Sequence, residues 1–388
     1  MSNGLHRRRG HAAGHRWVFV TTLVVAGALA AASAALVVTR LGPTTAGASP
    51  AANSGVDSSG HPVRLQLVSS SPASQTADVP SDAAVSVHFS VPLAPDTPPP
   101  VLDPPVAGSW VQTTPGTLAF EASAPLPPGS TVSLTVPGGK QGIKGSHGQH
   151  LATSSSSSFT VTGLSTLRMQ QILATLGYLP VSFTPTSASL PPSEAAAPQV
   201  GTFAWRWTTL PGNFMALWSP GAPNPVTQGA VMAFETDHHL GSDGVAGPKV
   251  WQALLDAAAT GQSDPYGHYD WVDVVTALPQ HVTVWRDGQV AYTSLANTGI
   301  RAAPTELGTW PVYVRYTTTT MSGTNPDGSH YSDPGIPWVS YFHGGDALHG
   351  FIRSSYGSPQ SLGCVEMPPS NAGVVYPYTP IGTLVTVQ

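Results

Sequence analysis

Sulfur and charge are both scarce in this chain. Cys364 is the one cysteine in 388 residues, which excludes an internal disulfide and leaves a zinc-thiolate cluster without partners. Only 9% of residues are Asp, Glu, Lys or Arg, the net charge is -5, and no basic stripe follows residue 40. A nucleic acid would find no electrostatic footprint here, so none is expected as a partner. The 14 histidines include no HExxH pair, and His238 and His239, if helical, would point about 100° apart. No metal and no cofactor are expected.

Glycine and proline are plentiful, at 40 and 39 residues, and together they favour short strands, turns and linkers over long helices. The length exceeds what one core usually organises. The expectation is a multidomain, mainly β protein. The one long hydrophobic run is Trp17 to Val38, 22 residues without a charge, behind Arg7, Arg8, Arg9 and Arg16. At about 1.5 Å per residue it spans a bilayer core, and the preceding positive charge puts residues 1–16 in the cytoplasm. Residues 17–39 therefore read as a transmembrane helix in the cytoplasmic membrane, single-pass, with everything from residue 40 extracytoplasmic. The alternative is a cleaved signal, with Ala32-Ser33-Ala34 as the cleavage site and the mature chain secreted to the cell wall.

Residues 40–61 hold little to bury and read as a linker. From 62 to 162 short alternating runs such as Val85-Ser86-Val87-His88-Phe89 and Thr131 to Val136 alternate with Pro/Gly turns, the rhythm of a small β-sandwich. Val85 to Ser90 and the turn Leu126-Pro127-Pro128-Gly129 resemble bacterial Ig-like domains. Residues 163–260 then carry helical signals. Ser165 caps a run with Leu167, Ile172, Leu173 and Leu176 near one face, and Gly177 ends it. A second helix covers Thr227 to Thr236, and Pro248 opens a third bearing Trp251, Leu254 and Leu255. The order of these signals in the small three-helix module resembles a peptidoglycan-binding-like domain. An insertion at 180–221, rich in aromatics, interrupts it; Phe203, Trp205, Trp207, Phe214 and Trp218 either meet glycan or pack on the helices.

A lone cysteine is most often a small buried hydrophobe. The neighbours of Cys364 argue otherwise. In residues 268–388, strand signals with an Asp287-Gly288 hairpin turn lead to Leu348-His349-Gly350 and then to Ser361-Leu362-Gly363-Cys364-Val365, with fourteen residues between His349 and Cys364. Amide chemistry at neutral pH needs a thiolate, and a free thiol near pKa ~8.5 needs a base to take its proton. His349 is the candidate base, and backbone N–H groups at Gly363 and Cys364 are candidates for an oxyanion hole.

The His-Gly and Ser-x-Gly-Cys elements, with Asn297-Thr298-Gly299 and Pro304 to Thr309 upstream, resemble the β-rich YkuD-type L,D-transpeptidase catalytic domain. The resemblance implies that Cys364 attacks the carbonyl between the third and fourth residues of a peptidoglycan stem tetrapeptide, releasing D-alanine. An amine of a neighbouring stem then gives a cross-link between third residues. The alternatives are an L,D-carboxypeptidase, in which water resolves the acyl-enzyme, and a non-catalytic wall-binding protein. Gly350, Ser361, Tyr341, His343 and Trp338 are the expected substrate contacts, with stem peptide and glycan as partners. Two positions depart from the family: Leu362 replaces a common second His, and Glu366 stands where Arg or Asn is frequent. The polar stretch from Met321 to Trp338 reads as a lid loop.

Overall fold

The computed structural model describes residues 63–187 and 194–388. The expected basic tail, membrane span and linker, residues 1–61, lie outside them, and among the described residues no helix is long and apolar enough to cross a membrane.

Seven strands form the sandwich expected at 62–162: β1 Leu67–Ser71, β2 Val85–Phe89, β3 Val101–Asp103, β4 Gly108–Thr114, β5 Thr117–Ala122, β6 Thr131–Val136 and β7 Ser155–Thr160. They make a four-stranded sheet ordered β1-β2-β5-β4 and a three-stranded one ordered β3-β6-β7. The period-2 pattern explains the packing: Val85, Val87 and Phe89 point inward against Val132, Leu134, Val136 and Phe159. Ser86 and His88 alternate outward.

The next element, α1 Thr166–Leu176, begins at Ser165, whose hydroxyl accepts from the Arg168 N–H, and ends at Gly177 with φ 92°. A cap of this kind is worth ~1 kcal/mol. A hairpin of β8 Val181–Pro185 and β9 Gly201–Trp205 follows, then a single turn α2 Gly212–Met215, α3 Pro225–Asp237 and α4 Pro248–Thr260. The insertion is thus a hairpin plus a turn. Its aromatic rings pack inward: Phe203 lies 5.1 Å from Phe183 and 5.4 Å from Trp218, and Trp205 lies 6.1 Å from Phe214, centroid to centroid. Second in the series, α3 runs longer than expected because Asn224, not a later residue, caps it through the Thr227 N–H, with Pro225 in its first turn.

The last domain is two packed sheets. Strands β10 Asp270–Val275, β11 His281–Arg286, β12 Gln289–Leu295, β13 Gly308–Pro311 and, at the C-terminus, β18 Leu384–Val387 form one sheet ordered β12-β11-β10-β18-β13. Strands β14 Val314–Thr324, β15 His330–His343, β16 Asp346–Gly350 and β17 Val365–Met367 form the other in that order, and α5 Pro369–Val375 follows β17. Val272, Val274, Val282 and Val284 of the first sheet meet Phe342, Leu348, Val365 and Met367 of the second.

One expectation is overturned here. Met321 to Trp338 is not a lid loop but most of a two-stranded arm, paired from Val314↔Tyr341 to Thr324↔His330. The arm bends at Trp338, whose φ of 60° is a left-handed conformation that costs a bulky residue energy.

Candidate active site

Sheet register brings the cysteine and histidine together. Strands β16 and β17 run parallel with Leu348↔Val365 and His349↔Glu366 in register, so Cys364, one residue before Val365, falls beside Ala347. Residues paired across a ladder share a face and successive residues alternate. Cys364 and His349 therefore share one face, one step apart, while Leu348 and Val365 go into the core on the other.

His349 is buried, at 3% exposure. Its Nδ1 lies 3.1 Å from the Gly350 carbonyl oxygen. A carbonyl can only accept, so Nδ1 carries the proton and Nε2 is left as the basic nitrogen. Burial, chiefly, holds the imidazole below its ordinary pKa, against the Gly350 hydrogen bond and the Glu366 charge. Cys364 is partly exposed, with its sulfur 3.7 Å from the Gly345 oxygen. Its surroundings are apolar, Ala347, Ile336 and Val339 with Met321, Tyr341 and Phe351. Burial of the sulfur is the main cause of a thiol pKa pushed up to about 12; Asp346 and Glu366 add to it, and a bond from the Ala347 backbone opposes it. The resting pair is neutral.

The turn before Cys364 is tightly specified. Gly363 has φ 116°, a conformation that favours glycine, and a Cβ there would sit 2.3 Å from Asp346 Oδ1. The Ser361 hydroxyl donates to the Cys364 carbonyl at 2.5 Å. Among the described residues no backbone carbonyl outside the strand ladders accepts from the Gly363 or Cys364 N–H.

Several expected substrate contacts take other places. Ser361 is 1% exposed and spends its hydroxyl on the Cys364 carbonyl in the turn. Gly350 is buried too, where a Cβ would lie 2.9 Å from the Pro369 backbone; its role is close packing and its carbonyl orients His349. Trp338 packs 5.5 Å from Tyr376 and against Gly373, on the α5 side of the sheet and away from Cys364. His343 stacks on Trp310 at 4.3 Å. Tyr341 packs beside Cys364. Asp346 takes no part in orienting His349: it accepts the Glu306 N–H at 3.1 Å.

Sequence reasoning missed two sets of residues. In the arm, Tyr331 lies close enough for Cys364 to act on its phenol, and Asp333 close enough to act on His349. Glu366, 4% exposed, is gripped by Arg353 through Nε at 2.8 Å and Nη2 at 2.7 Å. Its backbone also exchanges both bonds with Asn297. Only the departure at Glu366 was visible in sequence, and it does not name its partner.

Among the described residues no cluster of His, Cys, Asp or Glu has the arrangement of a metal site. Residues 269–387 match the family model of the YkuD L,D-transpeptidase catalytic domain, and residues 62–161 match that of a bacterial Ig-like domain. No curated protein matches the chain. Solved structures similar to it include an L,D-transpeptidase from Mycobacterium smegmatis, at 14% identity over 84% of this chain and 100% of its own, with a TM-score of 0.27. The catalytic domain of the E. faecium L,D-transpeptidase is 26% identical over 30% of this chain and 95% of its own, with a TM-score of 0.29. L,D-transpeptidase 3 from Mycobacterium tuberculosis is 13% identical over 83% of this chain and 98% of its own, also with a TM-score of 0.29. At such TM-scores the family models alone carry the assignment.

Proposed function

We propose that this chain, with an L,D-transpeptidase catalytic domain at residues 269–387 and an Ig-like domain at 62–161, cross-links peptidoglycan stem peptides through an acyl-enzyme on Cys364. The observation that carries the reading is the placement of Cys364 and His349 on one face of adjoining strands, beside two backbone N–H groups that no carbonyl outside the strand ladders takes. His349 Nε2 takes the thiol proton as Cys364 Sγ attacks the carbonyl of the third stem residue. The oxyanion then lies against the Gly363 and Cys364 N–H groups, and one such donor is worth about 2.7 to 4 kcal/mol. Collapse breaks the amide bond, His349 returns the proton to the departing amine, and D-alanine leaves. An amine of a second stem attacks the thioester and regenerates the thiol.

Because the resting pair is neutral, ionisation of the thiol belongs to the attack itself. Bound substrate excludes water and supplies the carbonyl on which charge develops. Cys364→Ala is expected to abolish D-alanine release from a purified tetrapeptide stem while the circular dichroism spectrum is unchanged; release at the wild-type rate would remove Cys364 from the reaction. Mass spectrometry of the wild-type products assigns the acceptor. A dimer joined through third residues is the expected product, and trimmed monomers alone would make the protein a carboxypeptidase.

Delivery to the wall fits the rest of the chain. Residues 17–38 serve as the membrane anchor with the catalytic domain outside, and the helical module between the two matched domains is a wall-binding unit, through its resemblance to peptidoglycan-binding-like domains. Full-length protein is expected in the membrane fraction after alkaline washing, and a chain begun at residue 40 with a cleavable export signal is expected in the soluble fraction. Full-length protein released by the wash at a lower mass would favour the secreted form.

A further inference from the structure

A cavity of about 430 Å³ separates the helical module from the catalytic domain, within the ~300–1,000 Å³ range of small-molecule sites. It is not the catalytic cleft. Arg315, on its wall, pairs with Ser340, which pairs with Leu348, which pairs with Val365. That register puts Arg315 on the opposite face of the sheet from Tyr341, Ala347 and Cys364.

The cavity carries opposite charges at separate places on its wall, and they do not neutralise each other. Arg315 lies over the Tyr376 ring at 3.9 Å and gives Nη2 to the Tyr376 carbonyl at 2.5 Å. Its Nε–H is buried with no partner. That atom is closed even to water, so what Arg315 offers an occupant is the rest of the guanidinium where it lines the cavity. The neighbouring Arg286 is already spent on Asp270, through bonds of 2.8 and 2.7 Å. Asp237 and Asp264 also line the space. Among the described residues neither is in a salt bridge; Asp237 accepts the Tyr178 hydroxyl, at 3.0 Å, and Asp264 the Tyr266 N–H, at 2.9 Å, and the Gly267 N–H, with Arg206 near enough to lower its pKa. Burial holds both carboxyls above their ordinary range. Gly229, Ala230, Ala233 and Gly382 form one part of the remaining wall, and the rings of Tyr266, His268 and Tyr269 with Pro377, Pro380 and Ile381 form the rest.

We propose that this cavity binds a small zwitterion, an amino acid or short peptide with free termini, its carboxylate on Arg315 and its ammonium on Asp237 and Asp264. The chemistry fits either source, since both ends carry the same groups. The site stands apart from Cys364 and does not depend on the reaction proposed above.

The test is calorimetric titration of the full-length protein in detergent, with Cys364 alkylated beforehand to remove turnover. The probes are alanine, alanyl-alanine, N-acetyl-alanyl-alanine and alanyl-alaninamide. One free zwitterion is expected to bind one-to-one, and blocking either terminus is expected to weaken binding at least tenfold. Arg315→Gln and Asp237→Asn are each expected to weaken it as much, with the rate of Cys364 alkylation unchanged. Tighter binding of alanyl-alanine than alanine assigns a peptide end, and the reverse assigns a free amino acid. Should Arg315→Gln misfold, the blocked peptides and Asp264→Asn still decide. No heat at millimolar probe, equal affinity for blocked and free termini, or undiminished binding in the folded variants would overturn the proposal.

Discussion

At His349 and Cys364 the local environment acts on both partners in the same sense, since burial disfavours imidazolium and thiolate alike. With the imidazole held low and the thiol pushed up to about 12, the resting enzyme differs from cysteine hydrolases that store a thiolate-imidazolium pair. The alkylation rate of Cys364 by iodoacetamide should therefore rise about tenfold per pH unit from pH 7 to 10, as the small thiolate fraction grows. A plateau reached by pH 8 would show a stored thiolate instead. The neighbours of that pair each hold one part of it in place. Gly350 orients the imidazole, Ser361 fixes the Cys364 carbonyl, and Gly363 lets the chain pass Asp346. Glu366 places a carboxylate next to His349 in register, and Arg353 compensates it with a forked, charge-assisted pair.

The arm of β14 and β15 packs beside Cys364. Met321 and Ile336 from its two strands pack with Cys364 and Ala347, and Tyr331 reaches the same region. Tyr331→Ala is expected to raise KM for a tetrapeptide stem roughly tenfold, about 1.4 kcal/mol of binding, with little change in Tm. An unchanged KM would mean that the ring covers the arm and not the substrate. The Asp287-Gly288 hairpin, the Ser165 cap and the Gly177 stop were all legible in the sequence, because turn and cap chemistry is local. So was the pairing of His349 with Cys364, through spacing and family resemblance. The arm was not. Its Tyr316-Thr317-Thr318-Thr319-Thr320 stretch is exposed on most sides, which leaves no apolar alternation to read. The Trp338 bend was equally hidden, since a bulky residue at positive φ contradicts local preference. The burial of Ser361 and Gly350, both expected to touch substrate, was not legible because a motif names residues without saying which way they face.

Across the whole molecule, cores and sequence-defined domains do not coincide. The sandwich has a core of its own. The catalytic domain has one between its sheets, but the core of the helical module extends into it: Phe214 packs 4.9 Å from Trp271, and Trp271 and Leu384 of the catalytic sheet join Leu173, Phe234 and Leu254 in a single cluster. Calorimetry should show the sandwich melting separately from a joint transition of the other two units. Phe214→Ala should lower the joint transition alone, by about 3 to 5 kcal/mol of stability; a lowered helical transition with an intact catalytic one would show that the core is divisible. The shared core also carries the zwitterion cavity, which would let an occupant stiffen both units together. The neutral Cys364 thiol has a final consequence for the protein's lifetime. Oxidants attack thiolates far faster than thiols, and this chain holds no second sulfur that could resolve a sulfenic acid as a disulfide. On the mechanism proposed above, keeping the proton on until substrate arrives would protect the sulfur on which that mechanism depends.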